Sequence, residues 1–141
     1  LSNKKHSAGV LLFKQSSDGI VVLIVHPSGD YNAKAAWSVP KGLIDDGETP
    51  IIAGRRELKE ETGAIAPDIL IPLEDVQYKS GKKVTCFAGL ADSEYQPAPA
   101  SWEVDKVEFV SLDEAENLLH SAQQEFIRRL KKALKWKAFL D

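Results

Sequence analysis

A chain of 141 residues is long enough for one domain with a single core. Its 28% charged residues and formal charge of −3 describe a soluble protein and exclude a strong general affinity for nucleic acid or membrane surfaces. No apolar run approaches the roughly 18 residues needed to span a bilayer, and Leu1 to His6 lacks the apolar core of a secretion signal. Residues 8–14 and 20–26 are apolar, β-branched runs separated by Ser16, Ser17, Asp18 and Gly19, which predicts a β-hairpin. Pro27 to Asp30 opens a loop reaching Trp37, and residues 37–42 (WSVPKG) read as a strand end entering a glycine-containing loop. Thr49 is placed to cap a helix, Pro50 suits its first position, and Gly63 suits its left-handed end. Ile51, Ile52, Ala53, Leu58 and Thr62 form the inward stripe expected of that helix. Pro67 and Pro72 punctuate the way to an extended stretch at 75–79, a turn at 80–82, and a strand at 84–91. The lone Cys86 lies in that strand, where it reads as a small buried hydrophobe in a reducing, cytoplasmic protein. Residues 92–101, with Pro97 and Pro99, read as an exposed loop. A strand at 107–112 follows, then a short helix capped by Asp113 through Leu119, and a last helix over about 121–140. No repeat or linker interrupts this order, so residues 1–141 read as one domain of α+β or mixed α/β class.

The helix after Thr49 gathers Glu57, Glu60 and Glu61 at positions i, i+3 and i+4, which share a face. Carboxylates this close repel one another. They need either full solvation, as on an ordinary acidic helix surface, or a cation that neutralises them. Hard oxygen ligands at this spacing suit Mg²⁺ or Mn²⁺, ions that bridge protein carboxylates to a substrate's phosphates.

The 23 residues GLIDDGETPIIAGRRELKEETGA, Gly42 to Ala64, resemble the Nudix box, G-x5-E-x7-R-E-U-x-E-E-x-G-U with U a bulky aliphatic residue. Gly42, Glu48, Arg56, Glu57, Leu58, Glu60, Glu61 and Gly63 fill its positions. Ala64 departs from it, being small where the pattern is bulky, with Ile65 next. The flanking WSVPKG, the early strand pair and the later strand with its acidic helix extend the resemblance over most of the chain. It implies an α/β/α sandwich with a mixed β-sheet packed between helices. It also implies hydrolysis, with Mg²⁺ or Mn²⁺, of a nucleoside diphosphate linked to another group X.

By box position, Glu57, Glu60 and Glu61 are the residues facing the metal. Glu57 binds the ion, serves as general base, or does both through a bound water. Arg56 is implied to orient Glu57 without touching substrate; pairing with Glu60 at i+4 is the alternative. Glu48 approaches the metal from the loop or braces that loop. Gly42 lets the backbone approach closely enough to offer a carbonyl to the metal, and Lys41 meets a phosphate or stays solvated. Family members often recruit a further downstream acid. Among Glu94, Glu103, Asp105 and Glu108, Glu103 fits best as ligand or base, standing after the proline loop and just before a strand. Glu108 alternates with Val107 and Phe109 and is expected to face solvent.

The substrate is less sharply marked. Tyr31 and Trp37 bracket the loop before the box and Tyr78 lies on a later strand; each is a candidate to stack on a nucleobase, a contact of about 1–3 kcal/mol. Core packing is the competing role for Trp37. His26 beside Pro27 is a weak candidate for a phosphate or base. The segments WSVPKG, GKKVTCFAGLADSEY and EVDKVEFVSLDEAENLL look most like members acting on dinucleoside polyphosphates or nucleoside triphosphates. The downstream proline frequent in ADP-ribose hydrolases is missing, and Tyr78 stands near the place of a tyrosine associated with diadenosine polyphosphate hydrolases. Six basic residues (Arg128, Arg129, Lys131, Lys132, Lys135, Lys137) against Glu125 and Asp141 give residues 121–141 a charge of +4, leaving −7 for the rest of a chain totalling −3. Phe126, Leu130 and Leu134 would dock that helix on the body, and its basic face is then solvated surface or, in an RNA 5′-pyrophosphohydrolase, an RNA contact. Nudix domains that only sense nucleotides tend to lose box glutamates, which this chain retains.

Overall fold

The apolar runs become the centre of a six-stranded mixed sheet in a computed structural model that describes residues 5–140, with side chains as far as residue 135. β1 (His6–Ser16) and β2 (Gly19–Pro27) form the expected antiparallel hairpin, Ser16 opposite Gly19. The short β3 (Lys41–Leu43) pairs with the first half of β1, Gly42 opposite Ala8. β4 (Ile71–Gln77) pairs with β5 (Lys83–Leu90), which runs parallel to β1 with His6 opposite Lys83. β6 (Val104–Ser111) lies outside β2, so the order is β4-β5-β1-β2-β6.

Alternation along the central strands sends successive side chains to opposite faces. Val10, Leu12, Leu23 and Val25 pack with Leu58 of α1 (Pro50–Thr62) and with Ala64. Leu11, Val22 and Ile24 pack with Ala115 of α2 (Leu112–Leu118) and with Phe126, Ile127 and Leu130 of α3 (Gln124–Leu140). Helices cover both faces, which is the α/β/α sandwich. Cys86 is fully buried on the α2/α3 side, and burial pushes its thiol up to about 12.

α1 is capped as the sequence predicts: Thr49 Oγ1 accepts the Ile52 N–H at 3.3 Å, and Gly63 closes the helix at φ +75°. Its inner stripe differs. Ala53, Gly54, Leu58 and Thr62 are buried, while Ile51 and Ile52 are exposed. The reason is a backbone approach: a Cβ on Gly54 would stand 3.2 Å from the Gly9 carbonyl oxygen, so the helix turns this glycine to β1. Ala64 takes the inner position after the helix and Ile65 turns outward, which is how the chain accommodates its one departure from the box. β4 begins at Ile71, ahead of the predicted stretch at 75–79, and admits Pro72 because it is an edge strand with a bulge between Pro72 and Asp75. Ser111, in place of Asp113, caps α2 by accepting the Glu114 N–H at 3.1 Å. The last helix opens with a 3-10 turn at Ser121–Gln123. No helix among the described residues is long and apolar enough to cross a membrane.

Candidate active site

β3 and α1 meet where Gly42 lies against the Glu57 carboxylate; a Cβ at this position would overlap that group. Beside it, Arg56 joins the loop to the helix. Its Nε and Nη2 donate to both Glu48 oxygens at 2.7 and 2.8 Å, and Nη1 donates to Glu57 at 2.7 Å. Nη2 also donates to the Leu43 carbonyl at 3.0 Å, and Nη1 reaches Glu60 at 3.3 Å. Such charge-assisted, bidentate contacts are roughly twice as strong as neutral ones. Arg56 beside it holds the Glu48 carboxyl down to about 2, helped by the Asp45 N–H that Glu48 accepts at 2.8 Å. Glu48 therefore braces the loop, and Arg56 contacts Glu57 and Glu60 together.

Glu57, Glu61 and Glu103 line one cleft of about 920 Å³ with Lys41 and Gly42. Burial raises Glu57 above the ordinary carboxylate range, against the pull of Arg56. Burial and then the Glu57 charge push Glu61 up to about 8, while Lys41 draws it back. Lys41 is itself lowered, chiefly by burial. Lys82 and Lys83 line the same cleft, so ammonium groups and desolvated carboxylates share it. Perturbed carboxylates of this kind cluster at functional sites.

Glu60 departs from this group. Its side chain is 54% exposed, leans on Arg56, and lines a neighbouring groove instead of the cleft. Among the described residues no three acidic, histidine or cysteine side chains converge closely enough to enclose an ion. The three box glutamates thus do not aim at one spot, because Arg56 draws Glu57 and Glu60 toward Glu48 while like charges repel. The donor set still suits a hard cation in kind: it is all oxygen, anionic and partly desolvated, with the Gly42 backbone against it.

The NUDIX domain model matches residues 3–130. The chain belongs to the Nudix family. Nudix hydrolase 25 of Arabidopsis thaliana is 39% identical over 64 residues, 45% of this chain and 33% of that protein. An RNA pyrophosphohydrolase of Helicobacter pylori (strain G27) is 37% identical over 68 residues, 48% of this chain and 44% of that one. The match spans less than half the length of either relative. A C. elegans Ap4A hydrolase in a binary complex aligns with TM-score 0.71 and 22% identity, over 92% of this chain and 98% of that one. The Nudix domain of Shewanella oneidensis NrtR, complexed with ADP ribose, aligns with TM-score 0.72 and 21% identity, over 93% and 88%. At such identity the likeness is one of fold.

Around the Nudix box, the aromatic candidates separate. Tyr31 is 99% exposed on a 3-10 turn at Asp30–Asn32 and lies outside the cleft. Its loop closes on itself, Asn32 donating to the Ser28 carbonyl at 2.8 Å, and leaves the ring in solvent. Trp37 lines the cleft but is also packed against the α2/α3 core, with His26 edge-on at 5.4 Å and Lys106 over its ring at 5.9 Å. Tyr78 lines the cleft with its ring stacked on His120, centroids 4.3 Å apart. His26 is buried, and its Nδ1 is bonded to Asp105 at 2.9 Å.

Gln123 and His120 are cleft residues that reading the sequence missed. Gln123 is buried; it donates to the Tyr78 hydroxyl at 2.7 Å and Ser38 Oγ at 3.0 Å, and accepts the Val39 N–H at 2.8 Å. One amide ties the start of α3 to the segment that presents Lys41 and Gly42. Glu103 arrives because the 92–101 loop docks on the end of α1, Tyr95 donating to the Thr62 carbonyl at 2.7 Å and Ala100 to that of Glu61 at 3.0 Å. Glu108 is exposed, as expected. On α3, Phe126 and Leu130 are buried and Leu134 packs on the core. Three of its six cations are engaged: Arg128 and Arg129 pair with Glu125 at 2.9 and 3.5 Å, and Lys131 pairs with Asp113 and Glu116 at 3.0 and 3.2 Å. Lys137 lies outside the described side chains.

Proposed function

We propose that this Nudix chain is a divalent-cation-dependent hydrolase that splits the pyrophosphate link of a nucleoside diphosphate joined to a further group X. Dinucleoside polyphosphates or nucleoside triphosphates are the substrate class. The support is the single cleft in which Glu57, Glu61 and Glu103 stand with Lys41, Lys82 and Lys83. A pyrophosphate bridge calls for both signs, because its anionic oxygens repel an attacking water until positive charge neutralises them. Bound Mg²⁺ or Mn²⁺ supplies that charge and a more acidic water. Glu57, Glu61 and Glu103, which share the cleft without converging on one point, would close on the ion to hold it, with the Gly42 carbonyl and, from the rim, Glu60. Arg56 orients the Glu57 carboxylate through its 2.7 Å bond. Glu57 or Glu103 takes the water's proton. Lys41 and Lys82 face the phosphate oxygens, and Trp37 and Tyr78 bound the nucleoside's space. Tyr31 has no part.

Phosphate release from a nucleotide panel with Mg²⁺ or Mn²⁺ tests this, comparing wild type with Glu60→Gln and Glu61→Gln. Glu61→Gln is expected to lose more than the roughly 10–100-fold that removing an outer-shell partner costs. A folded protein that binds nucleotides and turns over none would be a sensor. Likeness to the Helicobacter pylori RNA pyrophosphohydrolase favours a second reading, 5′-pyrophosphate removal from RNA. Turnover of triphosphorylated RNA alone would select it.

A further inference from the structure

Beside the cleft lies a shallow, open groove formed by Lys59, Glu60, Ala100, Ser101, Trp102 and Glu103. We propose that this groove is a separate binding site for an uncharged aromatic heterocycle: the second nucleobase of a substrate whose phosphates occupy the cleft. The substrate class rests on the hydrolase reading above.

Two features carry the proposal. The first is continuity. Glu103 lines both the groove and the cleft, so a chain of phosphates ending at Glu103 delivers its next nucleoside onto Trp102. The second is a large aromatic side chain held out on a fixed backbone. Trp102 is 86% exposed, whereas Trp37 is packed into the core. Ser28 Oγ donates to the Trp102 carbonyl and Ser28 N–H to that of Glu103 at 3.0 Å. The Glu103 N–H donates to Ser101 Oγ at 3.1 Å, the Val104 N–H to the Ser101 carbonyl at 3.3 Å, and the Ala100 N–H to that of Glu61 at 3.0 Å. A platform pinned on both sides loses little further freedom when a ring stacks on it.

Charge then selects the ligand. Lys41, Lys82 and Lys83 stand in the cleft and only Lys59 in the groove, so the phosphates favour the cleft and the groove is left for an uncharged ring. Stacking on indole is tolerant of base identity, because every base presents a π-face. The groove therefore distinguishes substrates by whether they carry a second base, not by which base it is.

The full chain, with its three tryptophans, allows a test that does not depend on turnover. Adenosine titrated without metal is expected to quench tryptophan fluorescence saturably in wild type, and Trp102→Ala and Trp102→Phe are expected to lose one saturable component of it while any component from Trp37 in the cleft remains. Kinetics supply the second readout. In Trp102→Ala, kcat/KM for a dinucleoside polyphosphate relative to a nucleoside triphosphate is expected to fall about tenfold through KM, and Trp102→Phe to recover most of the loss. Saturable quenching undiminished in Trp102→Ala, or an unchanged substrate ratio in that variant, overturns the proposal. If wild type hydrolyses no nucleotide, the hydrolase reading fails by itself and the quenching still decides the groove.

Discussion

Arg56 serves four acceptors at once, the carboxylates of Glu48, Glu57 and Glu60 and the Leu43 carbonyl, because its donors lie in one rigid fork. A lysine would keep the charge and lose the fork. Arg56→Lys is therefore expected to lower kcat by about 10–100-fold with little change in KM, as Glu57 loses its orienting donor. Steady-state kinetics on the best nucleotide checks this; a kcat near that of wild type would mean that Glu57 holds its direction unaided. Glu48 gives a pH-dependent counterpart. Its folded value of about 2 lies below the ordinary 4.5, so the ionised carboxylate stabilises the fold above pH 4.5 and that contribution is lost as pH falls through about 2. Glu48→Gln should melt a few degrees below wild type at neutral pH, the gap closing in acid. A gap that ignores pH across this window would show that pairing with Arg56 adds nothing to stability.

At the scale of elements, the segment carrying Ser38, Val39 and Lys41 is held from behind by Gln123 at the head of α3. Gln123→Leu keeps the bulk and strips partners from the buried Val39 N–H, with a cost of about 1–3 kcal/mol for each donor left unsatisfied. Denaturant unfolding should register that loss, and KM should rise more than kcat falls as Lys41 loses its fixed position. Stability lost with KM unchanged would make the network structural only. Such long-range contacts also mark where the sequence stops being legible. Thr49, Pro50 and Gly63 act locally, as do residues 16–19 between two apolar runs, so the α1 boundaries and the hairpin could be read directly, whereas the sheet packed between helices came from the resemblance to the Nudix box. The rotation of α1 could not: it depends on Gly54 meeting Gly9 across the layer, and so Ile51 and Ile52 face outward. Box spacing put Glu57, Glu60 and Glu61 on one face, but the pull of Arg56 on Glu60 needed the folded Glu48 loop to be visible. Tyr78 meeting His120 and Gln123 likewise needs β4, β5 and the α3 entrance assembled.

For the whole molecule, the opposed charges of the C-terminal segment and the body become partners when α3 docks. Arg129 donates to the Leu73 and Asp75 carbonyls at 2.7 and 2.9 Å, Glu116 meets Arg128 at 3.6 Å, and Asp113 and Glu116 meet Lys131 at 3.0 and 3.2 Å. Arg128, Arg129 and Lys131 are thus engaged by the protein itself, while Lys132 and Lys135 stay exposed. The lysines of the cleft, Lys41 and Lys82 among them, belong to other elements. Beyond the Debye length of about 8 Å at physiological salt, exposed charges on α3 act only weakly on a substrate held in the cleft. Reversing the exposed Lys132 and Lys135 to glutamate should accordingly change kcat/KM less than about twofold for nucleotides and for triphosphorylated RNA alike. Lys82→Ala should raise KM for both by several-fold. Kinetics at low and physiological ionic strength compare the two. If the α3 reversal instead cost RNA turnover more than tenfold, and more steeply at low salt, the helix would be a nucleic-acid contact and RNA the better substrate.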